Sequence, residues 1–64
     1  MKCVLKNKNY GTYLKYIKRL RFKHYILDIN EATIYTKSEA RKMLETFKHP
    51  ENWEIMQIII EKEK

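Results

Sequence analysis

Glycine, proline and cysteine each occur only once in this sequence of 64 residues. A single cysteine, Cys3, excludes an internal disulfide and makes a reducing cytoplasm the simplest setting. A glycine-rich phosphate loop is excluded because Gly11 stands alone. The longest aliphatic run, Ile58–Ile60, is far too short to span a membrane. Packing, alone or with a partner, must therefore hold residues 1–64 together as one small domain.

Groups suited to catalysis or metal binding are also scarce. Cys3 has two candidate bases, His24 and His49, but nothing in the sequence brings either of them to the thiol. A lone cysteine is more often a buried hydrophobe or an inert thiol. One cysteine and two histidines at unrelated spacing make no zinc signature. We therefore expect a protein that is not an enzyme and that uses no cofactor and no metal.

Acidic residues are absent from the first 27 positions, which hold eight lysines and arginines. All eight acids fall in residues 28–64 beside six bases, so the net charge of +6 comes from the N-terminal half. Such an asymmetry is typical of proteins that meet a polyanion or an acidic protein surface. The simpler alternative is that the lysines serve solubility alone.

The basic residues are densest between Lys15 and Lys23, where five cations occupy nine positions and aromatic residues lie between them. On a hairpin, a turn at Arg19–Arg21 would project these charges beyond the end of the sheet. Cations bind phosphates and aromatic rings stack on bases, although rings at alternating strand positions also serve cross-strand packing. The residues expected to bind a partner or nucleic acid are Lys15, Lys18, Arg19, Arg21, Lys23 and His24.

One helix is predicted over residues 37–48. Thr36 followed by Glu39 fits a capping box, in which each side chain bonds to a free backbone N–H of the other residue. Pro50 ends the segment because it disfavours a helical conformation at the residue before it. The apolar stripe expected to face a sheet comprises Ala40, Met43, Leu44 and Phe47.

Strands are predicted at four places, which gives the order β-β-β-α-β. The simplest arrangement is an α+β fold: an antiparallel meander with one helix packed on one face of the sheet. Residues 32–35 are ambiguous, since they fit either an extension of a hairpin or a short helical turn. The predicted strands are residues 3–6, 12–18, 22–29 and 53–61.

The last predicted strand is apolar on both of its alternating faces. It is therefore either central and covered twice, or its second face meets another molecule. One helix covers only one face of a four-stranded sheet, so the opposite row is a candidate interface, in a homodimer or with a partner. The alternative is that the N-terminal strand or residues 32–35 cover the row. Its members are Met56, Ile58 and Ile60.

Several segments, in their order along the chain, match a known type of small protein. They are residues 3–6, 11–15, 31–32, 35–40 with the helix start Thr-Lys-Ser-Glu-Ala, and 53–56 with Glu-Ile. This pattern resembles the β-meander-plus-helix proteins that bacteriophages and mobile elements of AT-rich hosts encode. Many of those inhibit host defence, anti-CRISPR proteins among them. The resemblance implies an inhibitor, but it carries over no functional residue because the shared positions are caps and core.

We therefore expect a stoichiometric inhibitor in the host cytoplasm that docks through its basic face onto a nucleic-acid-handling protein or complex. Mimicry of DNA is not expected, because inhibitors that mimic nucleic acid are acidic. Two alternatives stay open: a module that binds RNA or DNA directly, and a structural homo-oligomer joined through the last strand. No membrane partner is expected.

Overall fold

Four antiparallel strands and one helix account for most of the chain that the structure describes, residues 2–58 of a computed structural model. The helix packs on the sheet, chiefly against the first and last strands. The predicted α+β fold with the order β-β-β-α-β is therefore confirmed. The elements are β1 (Lys2–Asn7), β2 (Tyr13–Ile17), β3 (Phe22–Ile26), a 3-10 turn (Ile29–Glu31), α1 (Lys37–Leu44), a 3-10 turn (Pro50–Asn52) and β4 (Trp53–Ile58).

The order of the strands across the sheet is β3-β2-β1-β4. The first three form a meander, whereas β4 lies beside β1 and pairs with it from Lys2↔Ile58 to Asn7↔Trp53. Of the two alternatives for the last strand, the central position is therefore wrong, because β4 is an edge strand of the described sheet. The inner position belongs to β1, whose consecutive residues 3–5 are at most 1% exposed. Burial of successive residues means that both faces of a strand are covered.

Residues 32–35 adopt neither of the two conformations predicted for them, because they enter the space between β1 and β2. Those strands pair directly only at the hairpin end and then diverge. Tyr35 bridges Cys3 there through two backbone hydrogen bonds of 2.8 Å, and Thr33 N donates to Leu14 O at 3.1 Å. The segment thus bonds to backbone groups that the diverging strands would otherwise leave unpaired.

The core lies between α1 and the sheet. Leu5, Leu14 and Ala40 are fully buried in it, and Tyr35 is nearly so. The predicted apolar stripe of the helix is confirmed, since Ala40 lies within this cluster and the other members pack against it. The partly buried residues around the cluster are Met43, Leu44, Phe47, Trp53 and Ile55.

The predicted capping box is present at the start of α1. Glu39 N donates to Thr36 Oγ1 at 3.2 Å, and Thr36 N donates to Glu39 Oε1 at 2.9 Å.

The strand β3 is shorter than predicted, since it ends at Ile26 instead of residue 29. Asp28 Oδ1 accepts from Asn30 N at 2.9 Å and so caps the 3-10 turn that follows.

The helix ends at Leu44, earlier than the predicted end at residue 48. Beyond it the backbone tightens into shorter-range bonds, with Thr46 N donating to Met43 O and Phe47 N to Leu44 O, both at 3.0 Å. The Thr46 hydroxyl donates to the same Met43 carbonyl at 2.7 Å. Side-chain and 3-10 bonds of this kind satisfy the last carbonyls of a helix and end it. Pro50 opens the 3-10 turn before β4 instead.

Met56 and Ile58 lie on the sheet face opposite α1, as the alternation along β4 predicts, and both are partly buried. The third member of the row, Ile60, lies outside the described residues. Val4, which is opposite Met56 on this face, is fully buried. Part of the face is therefore covered from within the chain.

The 3-10 turn Ile29–Glu31 lies on this same side of the sheet. Lys15 follows the core residue Leu14 in β2, so it faces away from α1, and its Nζ lies 3.1 Å from Glu31 Oε1. Neither β1 nor residues 32–35 curl over the face, since β1 is within the sheet and residues 32–35 lie between its strands. The segment that the Lys15–Glu31 ion pair brings to this face is instead the 3-10 turn just before residue 32.

Candidate functional site

The β2–β3 hairpin carries all six basic residues that the sequence singles out. Three of them, Lys18, Arg19 and Arg21, lie in the turn and are exposed. Leu20 between them is also 64% exposed. No acidic side chain within residues 2–58 forms a salt bridge with these three cations. The turn therefore presents three uncompensated charges and one apolar side chain at one end of the sheet.

Arg21 is the one non-glycine residue with a positive φ, 52°, in the described part of the chain. Its N–H donates to Lys18 O at 3.2 Å, and Leu20 N donates to Ile17 O at 3.1 Å, so the turn is closed by successive short-range bonds. A left-handed residue other than glycine or asparagine costs about 1 kcal/mol or more. The turn thus holds a charged residue where glycine would be less strained.

Two of the remaining candidates face away from α1. Lys15 and His24 are direct partners across the β2–β3 pair and therefore share a face. The charge of Lys15 is compensated by Glu31 at 3.1 Å, and the His24 ring meets the Phe22 ring edge-on at 4.7 Å. These two residues are thus separated from Lys23, which alternates with His24 and faces α1.

Lys23 connects β3 to the residues that end the helix. Its Nζ donates to Thr46 Oγ1 at 3.1 Å and lies 4.3 Å from the centroid of the Phe47 ring. The contact with the ring is a cation–π interaction. The six predicted residues therefore occupy three surfaces: the turn, the face opposite α1, and the gap between β3 and the end of α1.

That gap is a groove of about 420 Å³, within the size range of ligand-binding clefts. Trp53 contributes its floor, with its ring 5.1 Å from that of Phe47 and 5.6 Å from that of Tyr25. Tyr10 and Tyr25 are 78% and 56% exposed, so their rings remain open to a ligand. No carboxylate of the described residues lines it. We call it the aromatic groove; its lining includes four aromatic rings and two ammonium groups, those of Tyr10, Lys23, Tyr25, Phe47, Lys48 and Trp53.

The β1–β2 turn holds Tyr10 at the rim of the aromatic groove. Asn7 Oδ1 accepts from Asn9 N at 2.8 Å and from Tyr10 N at 3.0 Å. Gly11 has a φ of 70°, which suits glycine, and its N–H donates to Asn7 O at 2.9 Å. Asn7 is itself buried, so the backbone beneath Tyr10 is fixed from inside the fold.

The sequence indicates only part of this groove. Lys23 belongs to the predicted basic segment, whereas the rings of Tyr10, Phe47 and Trp53 come from three other parts of the chain. Phe47 lies on the predicted apolar stripe of the helix and Trp53 on an apolar face of the last strand, and both do pack against the core. No local motif marks residues that converge only in the folded chain.

Within residues 2–58, the buried titratable side chains are Cys3 and Tyr35. Cys3 is 1% exposed, so its thiol is closed to a substrate. Burial raises the pKa of Tyr35 to about 12, with a smaller contribution from the neighbouring Tyr16 that the nearby Thr33 side chain partly offsets. The Tyr35 hydroxyl is buried without a hydrogen-bond partner among the described residues. Tyr35 is thus held neutral within the buried cluster.

Three further findings concern the class of protein. Residues 2–58 contain no group of three or more histidine, cysteine, aspartate or glutamate side chains placed to hold a metal. Neither α1 nor the 3-10 turns have the length and apolar character needed to cross a bilayer. Comparison with known protein families, curated proteins and solved structures gives no match to this chain.

Proposed function

We propose that this protein is a non-catalytic inhibitor that docks, through the turn of its β2–β3 hairpin, onto a host nucleic-acid-handling protein or complex. The observation that carries the proposal is the exposed set Lys18, Arg19 and Arg21, which forms no salt bridge within the described residues. The inhibitory role follows from the resemblance to small phage and mobile-element proteins.

Physical chemistry favours docking by this turn over a purely solubilising role. Clustered charges of one sign attract an acidic surface over long range and accelerate encounter. Arginine forms bidentate bonds to carboxylates or phosphates and is enriched in protein interfaces. Leu20, exposed among the cations, adds apolar area that docking would bury.

The test is affinity capture from host lysate with the tagged protein, with and without nuclease. We expect a nucleic-acid-handling protein to be retained after nuclease treatment, because the contact is with protein. Loss of all captured material on nuclease treatment would contradict the proposal and would indicate direct binding of nucleic acid. In that case the logarithm of the affinity for nucleic acid should fall linearly with the logarithm of the salt concentration, with a slope of about −0.7 for each single-strand phosphate neutralised.

A further inference from the structure

The aromatic groove lies apart from the hairpin turn and has chemistry of its own. Phe47 and Trp53 are anchored in the core, whereas Tyr10 and Tyr25 present rings that are more than half exposed. Rings of this kind are stacking surfaces for flat, unsaturated ligands. Because Phe47 and Trp53 already pack against the core, a ligand would have fewer side chains to order on binding.

The charges of the groove exclude a cationic ligand. Aromatic cages that bind quaternary ammonium groups leave the ring faces free, but here Lys23 Nζ already lies 4.3 Å from the Phe47 centroid. Lys48 adds a second positive charge to the lining, and the nearby carboxylate of Glu51 is outside the lining and is bonded to His49 at 3.2 Å. The groove is therefore complementary to a ligand that combines a planar ring with a negative charge.

Lys23 retains hydrogen-bonding capacity for such a ligand. Its ammonium has three donors, and Thr46 Oγ1 takes one of them at 3.1 Å. The remaining donors are available to an anionic oxygen. A base joined to a phosphate has both features that the groove complements, and an unpaired base enters a groove at the lowest cost because no base pair has to be broken.

We propose that the aromatic groove binds an unpaired base of single-stranded nucleic acid, with the base on Tyr25 and the adjoining phosphate at Lys23 and Lys48. This site goes beyond the docking of the hairpin turn and does not depend on it. A nucleic-acid-handling complex carries such strands, so both surfaces can engage one target.

Trp53 is the only tryptophan of the chain, so its fluorescence reports directly on the groove. The experiment titrates the whole protein with short oligodeoxyuridylate and with oligouridylate of equal length, which differ only in the 2′-hydroxyl and so distinguish DNA from RNA. An abasic strand of that length and a duplex serve as comparisons. We expect saturable quenching by at least one single strand and much weaker binding of the abasic strand and the duplex.

Tyr25→Ala removes the proposed stacking surface. Since stacking on an aromatic ring contributes about 1–3 kcal/mol per base, affinity should fall about five-fold or more. Phe22→Ala is the matched control: it removes an aromatic ring of similar exposure, 52% against 56%, from the other face of the same strand. This control should bind as the wild type does. Circular dichroism checks that both variants are folded.

Lys48→Gln tests the charge. The slope of log affinity against log salt concentration is negative, and this variant should make it less steep by about 0.7, which corresponds to the loss of one phosphate contact. Three results would overturn the proposal. Equal losses in Tyr25→Ala and Phe22→Ala would exclude the groove, and full binding of the abasic strand would reduce the interaction to charge alone. Quenching by no strand would leave the groove to a ligand of another class, such as a peptide.

Discussion

Lys23 and Phe47 are in direct contact, with the ammonium nitrogen 4.3 Å from the ring centroid. One side of the Phe47 ring therefore meets a cation of β3, and the Trp53 ring lies nearly perpendicular to it with 5.1 Å between the centroids. The same ring packs against the buried cluster beneath α1. Because one side chain serves both the groove and the core, changes to the groove floor and changes to stability are coupled.

The first prediction concerns that ring. Phe47→Ala should lower the free energy of unfolding by about 3 kcal/mol, at the lower end of the range for buried phenylalanine, because Phe47 is only partly buried. Urea denaturation followed by circular dichroism measures the loss. Phe22→Ala is the control, and its ring is 52% exposed, so it should cost less than about 1 kcal/mol. Equal stabilities of the two variants would show that Phe47 does not belong to the core.

The second prediction concerns stability at high pH. Burial raises the pKa of Tyr35 from 10.0 to about 12, so the folded state holds this proton more tightly than the unfolded state does. The stabilisation is complete below pH 10 and is lost as the pH rises from 10 towards 12. Tyr35→Phe should remove this part of the alkaline loss.

The same variant should be at least as stable as the wild type at neutral pH, because the hydroxyl it removes has no hydrogen-bond partner among residues 2–58. Thermal melts at stepped pH measure both effects. Tyr10→Phe is the control, since Tyr10 is 78% exposed. If the stability of Tyr35→Phe depends on pH in the same way as that of the wild type, the raised pKa of Tyr35 does not cause the alkaline loss.

The third prediction concerns the sheet face opposite α1. If the row that contains Met56 and Ile58 is an interface between copies, light scattering should show a dimer that Ile58→Lys converts to a folded monomer. Ile34→Lys is the control, because Ile34 is 46% exposed and lies outside the strands. A wild-type monomer at all concentrations, destabilised by Ile58→Lys, would show that the row belongs to the protein's own core.

Local features of the fold are those that the sequence predicts well. The capping box needs only Thr36 and Glu39, three positions apart, and it forms as expected. The position of β1 depends instead on long-range pairing: Cys3 meets Tyr35 on one side and Gln57 on the other. Neither partner can be inferred from the short apolar run in β1, so the strand order was not predictable.

The two surfaces of the candidate site differ in the same way. The cations of the hairpin turn are close in sequence, so the local density of charge is enough to predict Lys18, Arg19 and Arg21. The aromatic groove joins side chains from Tyr10 to Trp53, and only the folded sheet and the early end of α1 bring them together. Pro50 predicts that the helix ends at residue 48, but it ends at Leu44. The Thr46 hydroxyl bonds to Met43 O there, and a side-chain bond of this kind leaves no mark in the apolar pattern.

The most direct test of the proposed function is the affinity of the captured partner for a triple variant, Lys18→Ser with Arg19→Ser and Arg21→Ser. The variant should keep the wild-type melting temperature within a few degrees, since exposed turn charges contribute little to stability. Its affinity should fall about 30-fold or more through lost long-range attraction and charge-assisted contacts.

The matched control removes three exposed cations of α1 and so the same net charge, through Lys37→Ser, Arg41→Ser and Lys42→Ser. Titration calorimetry compares the two variants with the wild type at one salt concentration. Loss of affinity in the hairpin variant, with the helix control close to the wild type, is the predicted result. Unchanged affinity in a folded hairpin variant, or equal losses in both, would contradict docking through the turn.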